Sequence, residues 1–494
     1  MKFLQASLIV SSLLLLGRFS GFARDWFLGW QYGAGLESDL AILVLTVPDL
    51  IVNVVLGGGV AAALVPEFRR LVPGRGAGLL IQALVAIVAV MSMIALVAAF
   101  FSHQLMTLLA PGLPREAVDN GQQYFAVAVI AIPLTAACGA LSAWLDANGK
   151  FQFSAPGTAI FNISVIGAMV FLGSFGLLYA VTFGVLVGAL IRLCFQGAAA
   201  ARVVHEPVSF APVEYWSIVR RFGSAFLFTS ALALLPAIAR ALATQHDAGS
   251  LSIFSYAVKV IELPMTLAVS AISVVLLPRL ASEFHQETGR VAHSAGLALR
   301  AVTLICLGLA IPAAFFPDSI FRVIFSSGVF TAEQRAVMSA VFVSGVIFLP
   351  ARGVMVICVS ILAAAGLTRH LALAALVLIG SFALSDLLLV GSFDLVGVML
   401  SMSMSMLAAA TYMVVIAYRR LGNDLLVVWF GRFATNYLPA IVVSLIICYL
   451  GNVLSTHLFV DVGVGLVSFA AFAVIAFGLD RKTWFPVAGA AAKA

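Results

Sequence analysis

Charged side chains are scarce in this sequence: Asp, Glu, Lys and Arg make up 10% of its 494 residues, where soluble domains carry roughly a quarter. With 63% hydrophobic residues and a mean hydropathy of +1.13, the composition excludes a soluble globular domain and predicts an all-α polytopic membrane protein. Cysteine is sparse as well. Cys138, Cys194, Cys306, Cys358 and Cys448 all lie in apolar stretches and form neither a CxxC pair nor a His/Cys metal pattern, so they are expected as buried small hydrophobes rather than redox or zinc groups. No GxxxxGK[ST] loop and no HExxH segment occurs, and the histidines are scattered over loops and helix edges. Nothing therefore asks for a nucleotide, a nucleic acid, a metal cofactor or covalent catalysis.

What remains is a succession of apolar runs. Segments of membrane-crossing length, separated by charged or Pro/Gly turns, number about fourteen. They fall near 8–32, 39–65, 78–101, 122–147, 155–173, 177–200, 218–241, 250–278, 296–317, 336–362, 371–390, 393–418, 428–451 and 461–479. The first run follows Lys2 as a signal peptide would, but Arg18 and the GFARD segment interrupt it, so it is expected as a retained helix. If the N terminus is cytoplasmic, most lysines and arginines fall on cytoplasmic loops, and only Arg115, Arg240, Arg322 and Arg335 fall on the opposite face. That asymmetry predicts both termini in the cytoplasm and an even number of passes.

An internal echo divides the chain. Pro48 and Pro264 stand at nearly the same separation as Pro133 and Pro350, and each of the latter is followed at equal distance by a glycine, Gly149 and Gly366. The echo predicts two parallel six-helix lobes, 1–200 and 218–418, joined by a cytoplasmic connector at 201–217 and followed at 419–494 by two further helices and a tail.

Charges inside the apolar runs are the candidate functional residues, because an ionised group in the bilayer persists only where a partner or a water-filled cavity receives it. Arg18, Arg24 and Asp25 lie in the first run, about 9 Å of helical rise separating the two arginines. They read either as a basic vestibule for an anionic substrate or as an Arg–Asp network that locks helices together. Lys259 and Glu262 stand one turn apart before Pro264, either as an intrahelical pair or as cavity groups, with Pro264 freeing backbone carbonyls. Arg352 could add positive potential to a substrate site beside Pro350, Asp49 and Asn53 could line the second helix, and Asn162 reads either as a substrate contact or as an interhelical bond. Gly57, Gly58 and Gly59 read as a hinge or as close packing, with Pro264 a further hinge candidate, and Asp386 is a weak candidate for a coupling cation.

Several segments together resemble the MurJ/MviN family of lipid-linked peptidoglycan-precursor flippases, within the multidrug/oligosaccharidyl-lipid/polysaccharide exporter superfamily. They are GRFSGFARD (17–25), GAGLESD (33–39), ALVPEF (63–68), APGTAIFNISVIG (155–167) and YAVKVIELPMTLAVSAISVVLLPRLA (256–281). The resemblance runs along almost the whole chain. It implies alternating access, in which a polyprenyl-diphosphate head group enters a cavity from the cytoplasm and leaves outward while its tail stays in lipid. It implies that Arg18 and Arg24 are cavity arginines, that Asp39 is a functional acid at the external end of the second helix, and that Lys259 stands where the family has a third arginine. The sequence departs from the family pattern in the second helix, where Val52, Asn53 and Gly57 replace two basic residues and an acid, and at Val258, which replaces an acid.

The reading that results is a flippase of the bacterial inner membrane for a lipid II-type precursor, not an enzyme. Its partners would be the polyprenyl-diphosphate-linked glycopeptide, membrane lipids and cell-envelope synthesis proteins, with sodium or proton coupling left open. An exporter of exopolysaccharide or another glycan lipid and a non-transporting scaffold for envelope assembly are the alternatives.

Overall fold

The computed structural model describes residues 2–51, 60–71, 73–204, 207–210, 230–285, 290–326, 328–431, 433–454 and 457–478. Every regular element among them is helical. This is the arrangement apolar sequence dictates in lipid, where no water is present to satisfy backbone N–H and C=O groups. The chain forms two compact units, Met1–Lys259 and Val260–Ala494.

The first unit holds α1 (Lys2–Tyr32), α2 (Leu36–Ile51), α3 (Val60–Arg70), α4 (Pro73–Phe100), α5 (Ser102–Leu109), α6 (Arg115–Ala128), α7 (Ala131–Ala147), α8 (Phe151–Ser154), α9 (Gly157–Leu172), α10 (Leu177–Ala201), α11 (Ser230–Ala243) and the start of α12 (Ser250–His285). Helix α1 packs on α9, α9 on α10, and α7 against α3, α4 and α10. The core between α3, α4 and α7 is built from Leu64, Phe68, Leu79, Leu80, Leu141 and Trp144, with Phe68 and Trp144 edge to face at 5.2 Å. The connector passes the head of α4, where the Ser209 N–H donates to the Gly74 carbonyl at 3.1 Å.

The second unit continues with α13 (Val291–Phe315), α14 (Pro317–Ile324), α15 (Ala332–Val346), α16 (Leu349–Ala364), α17 (Thr368–Leu421), α18 (Asn423–Phe430), α19 (Leu438–Leu454) and α20 (Leu458–Gly478). As one straight rod, the 54 residues of α17 would span about 80 Å, far beyond a bilayer core of about 30 Å. The backbone instead breaks at Asp394 (φ 46°, ψ −132°) and doubles back. A Cβ on Gly397 would lie 2.7 Å from the Leu389 carbonyl oxygen, so only glycine allows the two arms to approach. The expected passes 371–390 and 393–418 are these arms. The pass expected at 428–451 opens instead with short α18 and a π-helical turn, Phe433–Tyr437, before α19 begins.

The internal echo has a structural counterpart. Helices α6 and α7 break at Val129–Ile130 just before Pro133, and α15 and α16 break at Ile347–Phe348 just before Pro350, with a bend of 45° in the second pair. Both pairs end alike. Gly149 (φ 71°) and Gly366 (φ 70°) terminate α7 and α16 in left-handed backbone. Behind them the Lys150 N–H returns to Leu145 O at 2.8 Å and the Leu367 N–H to Leu362 O at 2.9 Å, the same six-residue closure of a helix C-terminus.

Exposure of apolar residues is widespread, as on Val85, Met93, Leu96 and Phe100 of α4, and contiguous apolar surface on this scale belongs against lipid. The same fact corrects one expectation. Four cysteines are buried, but Cys194 is exposed beside exposed Ile191 and Phe195 on α10. In a membrane protein an apolar segment faces hydrocarbon as readily as core. Helix α12 remains helical through Pro264, whose missing N–H leaves the Val260 carbonyl without its intrahelical donor.

Candidate functional site

The polar interior is organised by Arg24. Packing of α1 on α9 brings Asn162 to it, and α2 supplies Asp49. The guanidinium is 3% exposed and all three of its nitrogens are engaged. Nε donates to Asp25 Oδ1 at 2.9 Å, Nη1 to Asp49 Oδ1 and Asn162 Oδ1 at 3.2 Å each, and Nη2 to Asp49 Oδ2 at 2.8 Å. Nη2 also lies 2.8 Å from Asp25 Oδ1. Asn162 is oriented in turn by donating to Ser20 Oγ at 3.2 Å. Lys259 Nζ approaches the other side of Asp25, 3.6 Å from Oδ2.

A cleft of about 270 Å³, counting its open mouth, runs along this cluster and is lined by Arg24, Asp25, Thr46, Asp49, Arg240, Ser255 and Tyr256 together with Ile42 and Leu45. Its interior has room for about one water molecule. Two polar atoms among those of its lining residues, Arg240 Nε and Ser255 Oγ, are buried without a hydrogen-bond partner among the described residues. With Lys259, three cations, Arg24, Arg240 and Lys259, share this region with two carboxylates, Asp25 and Asp49, so the cluster as a whole is cationic.

Asp39 occupies a separate station. It is 2% exposed, and its carboxylate caps the N-terminus of α12 from α2. Oδ2 accepts from the Gly249 N–H at 2.7 Å, and Oδ1 accepts from the Ser252 N–H at 2.7 Å and from the Ser252 hydroxyl. The first N–H groups of a helix lack intrahelical partners and carry the positive end of its dipole, so an anion there is doubly favoured. Tyr256 extends this contact, its hydroxyl donating to Gly33 O at 3.1 Å.

Of the residues singled out from sequence, Arg24, Asp25, Asp49, Asn162 and Lys259 converge, whereas the other described ones do not line this cleft. Arg18 lies on an exposed stretch of α1 and is not among the residues lining the cleft. Glu262 and Arg352 approach each other in the second unit, 3.7 Å apart, with the arginine buried. Asp386 sits partly buried in the first arm of α17, and the described residues contain no group of three His, Cys, Asp or Glu able to hold a metal ion. Gly57, Gly58 and Gly59, with Val52 and Asn53, lie outside the described residues. Sequence reasoning placed Arg240 on an external loop and weighed Asp49 only as wall. The available signal for Asp49 was a lone acid in an apolar run with an equally isolated arginine one helix away.

This fold recurs among polytopic membrane transporters. A lipid II flippase MurJ in an inward closed conformation superimposes with a TM-score of 0.81 at 17% identity, covering 95% of this chain and 99% of that one. An inward-facing multidrug resistance MATE family transporter of the MOP superfamily superimposes at 0.72 and 13% identity, over 84% of this chain and 98% of that one. The family model "Lipid II flippase MurJ" matches residues 31–466, and the chain belongs to that family. It is thus a multi-pass membrane protein of a family of flippases, not of enzymes. A curated protein of Burkholderia cenocepacia named lipid II flippase MurJ is 24% identical over 354 residues, 67% of this chain and 68% of its own. A probable lipid II flippase MurJ of Buchnera aphidicola is 24% identical over 301 residues, and the matched stretch spans 58% of each chain.

Proposed function

We propose that this protein carries a polyprenyl-diphosphate-linked peptidoglycan precursor of the lipid II class from the cytoplasmic to the outer leaflet of the bacterial inner membrane by alternating access. The observation that carries the reading is the Arg24 cluster. A diphosphate head group cannot enter hydrocarbon at low cost, and Arg24, Arg240 and Lys259 supply substitute charge within the membrane-spanning region. In the arrangement described here Arg24 is saturated by Asp25, Asp49 and Asn162, and the cleft is too narrow for a sugar. Substrate admission therefore requires the cleft to widen and phosphate oxygens to replace carboxylate oxygens on the guanidinium fork, one set of charge-assisted bonds exchanging for another. Such an exchange keeps binding reversible, as turnover demands. Asp39 on the end of α12 would hold one limiting state, and its release would permit the other.

The two-lobe organisation, the cytoplasmic position of both termini and coupling to sodium or protons, with Asp386 as a candidate, belong to this proposal. Carriage of a different glycan lipid is the second reading, favoured by the replacement of the second helix's charges at Val52, Asn53 and Gly57. Complementation decides between them. Cells depleted of their own precursor flippase should survive on this chain; death despite confirmed membrane insertion would favour the glycan-lipid exporter. Survival with Arg24→Ala and Lys259→Ala together would show that transfer does not depend on these cations.

A further inference from the structure

The second arginine of the cleft is a repeat of the first. Arg240 follows Arg24 by the same number of residues that separates Pro48 from Pro264, one fewer than separates Pro133 from Pro350. The turn beyond each arginine keeps that spacing. Nine residues after Arg24 stands Gly33 (φ 68°) and nine after Arg240 stands Gly249 (φ 90°), both in left-handed backbone. The two turns also pack on each other. A Cβ at Gly249 would lie 3.0 Å from the Ala34 carbonyl carbon and 3.1 Å from Gly35 N, and the Tyr256 hydroxyl donates to Gly33 O. Two copies of one helix-and-turn unit, α1 with its turn and α11 with its turn, thus meet within the first unit, and each brings an arginine to the same cleft.

The copies differ in what surrounds the arginine. Asp25 and Asp49, which engage Arg24, have Ala241 and Met265 at the corresponding places of the second copy. The second copy has kept the cation and dispensed with the acids. Asp49 lines the cleft together with Arg240 but directs both of its oxygens to Arg24. Arg240 Nε is buried without a hydrogen-bond partner among the described residues, and so is the hydroxyl of Ser255, which belongs to the same lining. A guanidinium stays protonated at any accessible pH, and inside a membrane protein it persists where an anion or water receives its donors.

We infer that Arg24 and Arg240 are the two jaws of one diphosphate clamp, one from each repeat, and that Arg240, with Ser255, takes the first phosphate while Arg24 is still held by its acids. The second phosphate then replaces Asp25 and Asp49 on Arg24. The acid-free copy explains how a cleft whose first arginine is saturated can attract an anionic head group. It also restores on α11 a positive charge that the second helix lacks at Val52 and Asn53.

The test uses the purified full chain in nanodiscs, with geranyl diphosphate and geranyl monophosphate as probes that share a tail and differ by one phosphate. By calorimetry the diphosphate should bind about tenfold tighter or more, as one added charge-assisted contact provides. Arg240→Gln, which keeps donors but not charge, should weaken both probes about tenfold at an unchanged thermal midpoint. Arg240→Lys, which lacks the planar fork, should fall between the two. Arg24→Gln should leave the monophosphate within about threefold and remove the advantage of the diphosphate. Equal affinity of the unmodified chain for the two probes overturns the inference. So does an Arg240→Gln chain that binds both as tightly as the unmodified one, or a monophosphate that loses affinity with Arg24→Gln but not with Arg240→Gln. Where a variant does not fold, the ratio of the two probes on the unmodified chain decides. The clamp rests on the carrier reading of this cleft, yet the two fail separately: a chain that shows the diphosphate preference but moves no lipid II retires the substrate and keeps the clamp, whereas lipid II transfer by Arg240→Gln at an unchanged KM retires the clamp and keeps the carrier.

Discussion

Replacing Asp39 by Asn isolates the contribution of one carboxylate to the contact between α2 and the start of α12. The native group accepts from two backbone N–H groups at 2.7 Å and from the Ser252 hydroxyl, and it is buried. Asparagine has the same shape but only one acceptor oxygen, and its NH2 must face either the Gly249 or the Ser252 donors. One buried charge-assisted bond is lost, about 1.5–3 kcal/mol, and the charge–dipole attraction goes with it, about 1 kcal/mol in such a setting. The sum is about 3 kcal/mol, or roughly 150-fold in the local opening equilibrium. Hydrogen exchange measured by mass spectrometry on peptides spanning 245–256 reads this directly. Exchange should accelerate by about two orders of magnitude, and Ser252→Ala, which removes one of the three donors to the carboxylate, about 1.5–3 kcal/mol, should accelerate it by about tenfold or more. Exchange in Asp39→Asn within threefold of the unmodified protein would refute the capping argument.

Other outcomes follow from the same geometry. Arg24→Lys keeps the charge but not the planar fork, leaving acceptors of Asp49 or Asn162 unpaired; the thermal midpoint should fall by the equivalent of about 2–4 kcal/mol, and Arg24→Met, which leaves Asp25 and Asp49 short of counter-charge, should lower it further. Arg240→Ala removes a partly buried cation with no ion-pair partner among the described residues, so the midpoint should hold while binding of a soluble diphosphate headgroup analogue, measured calorimetrically, weakens about tenfold. Gly397→Val places side-chain atoms against the Leu389 carbonyl and should abolish insertion of the α17 hairpin, read as loss of folded protein on detergent size-exclusion chromatography.

How much of this was legible beforehand divides along physical lines. Charges within apolar runs must be satisfied, so Arg24, Asp25 and Lys259 were identifiable from sequence as a polar interior, and the Pro133/Pro350 and Gly149/Gly366 spacing, read as a repeat of six-helix lobes, falls on two helix pairs that end in the same left-handed turn. Partner choice was not legible: whether Arg24 meets water or Asp49 depends on the rotation of α2 against α1, which hydropathy leaves undetermined. Arg240 was missed because it stands near the end of an apolar run, where a shift of one turn moves a residue from loop to cleft. The role of Asp39 came through its family resemblance, while the helix end that it caps lies far along the chain and carries no local sign of the contact. Cys194 was misplaced because hydrophobicity predicts exclusion from water, and lipid satisfies that as well as a protein core.

The central claim is that cationic side chains inside the membrane carry a diphosphate-linked head group from one leaflet to the other. Reconstitution into liposomes with a defined lipid II precursor, at matched insertion, measures that transfer by the accessibility of the head group on each leaflet. The unmodified chain should move the precursor, Lys259→Arg should retain activity, and Arg24→Ala and Lys259→Ala should each reduce the rate at least tenfold. Transfer at an undiminished rate in the Arg24→Ala and Lys259→Ala double variant would contradict the account.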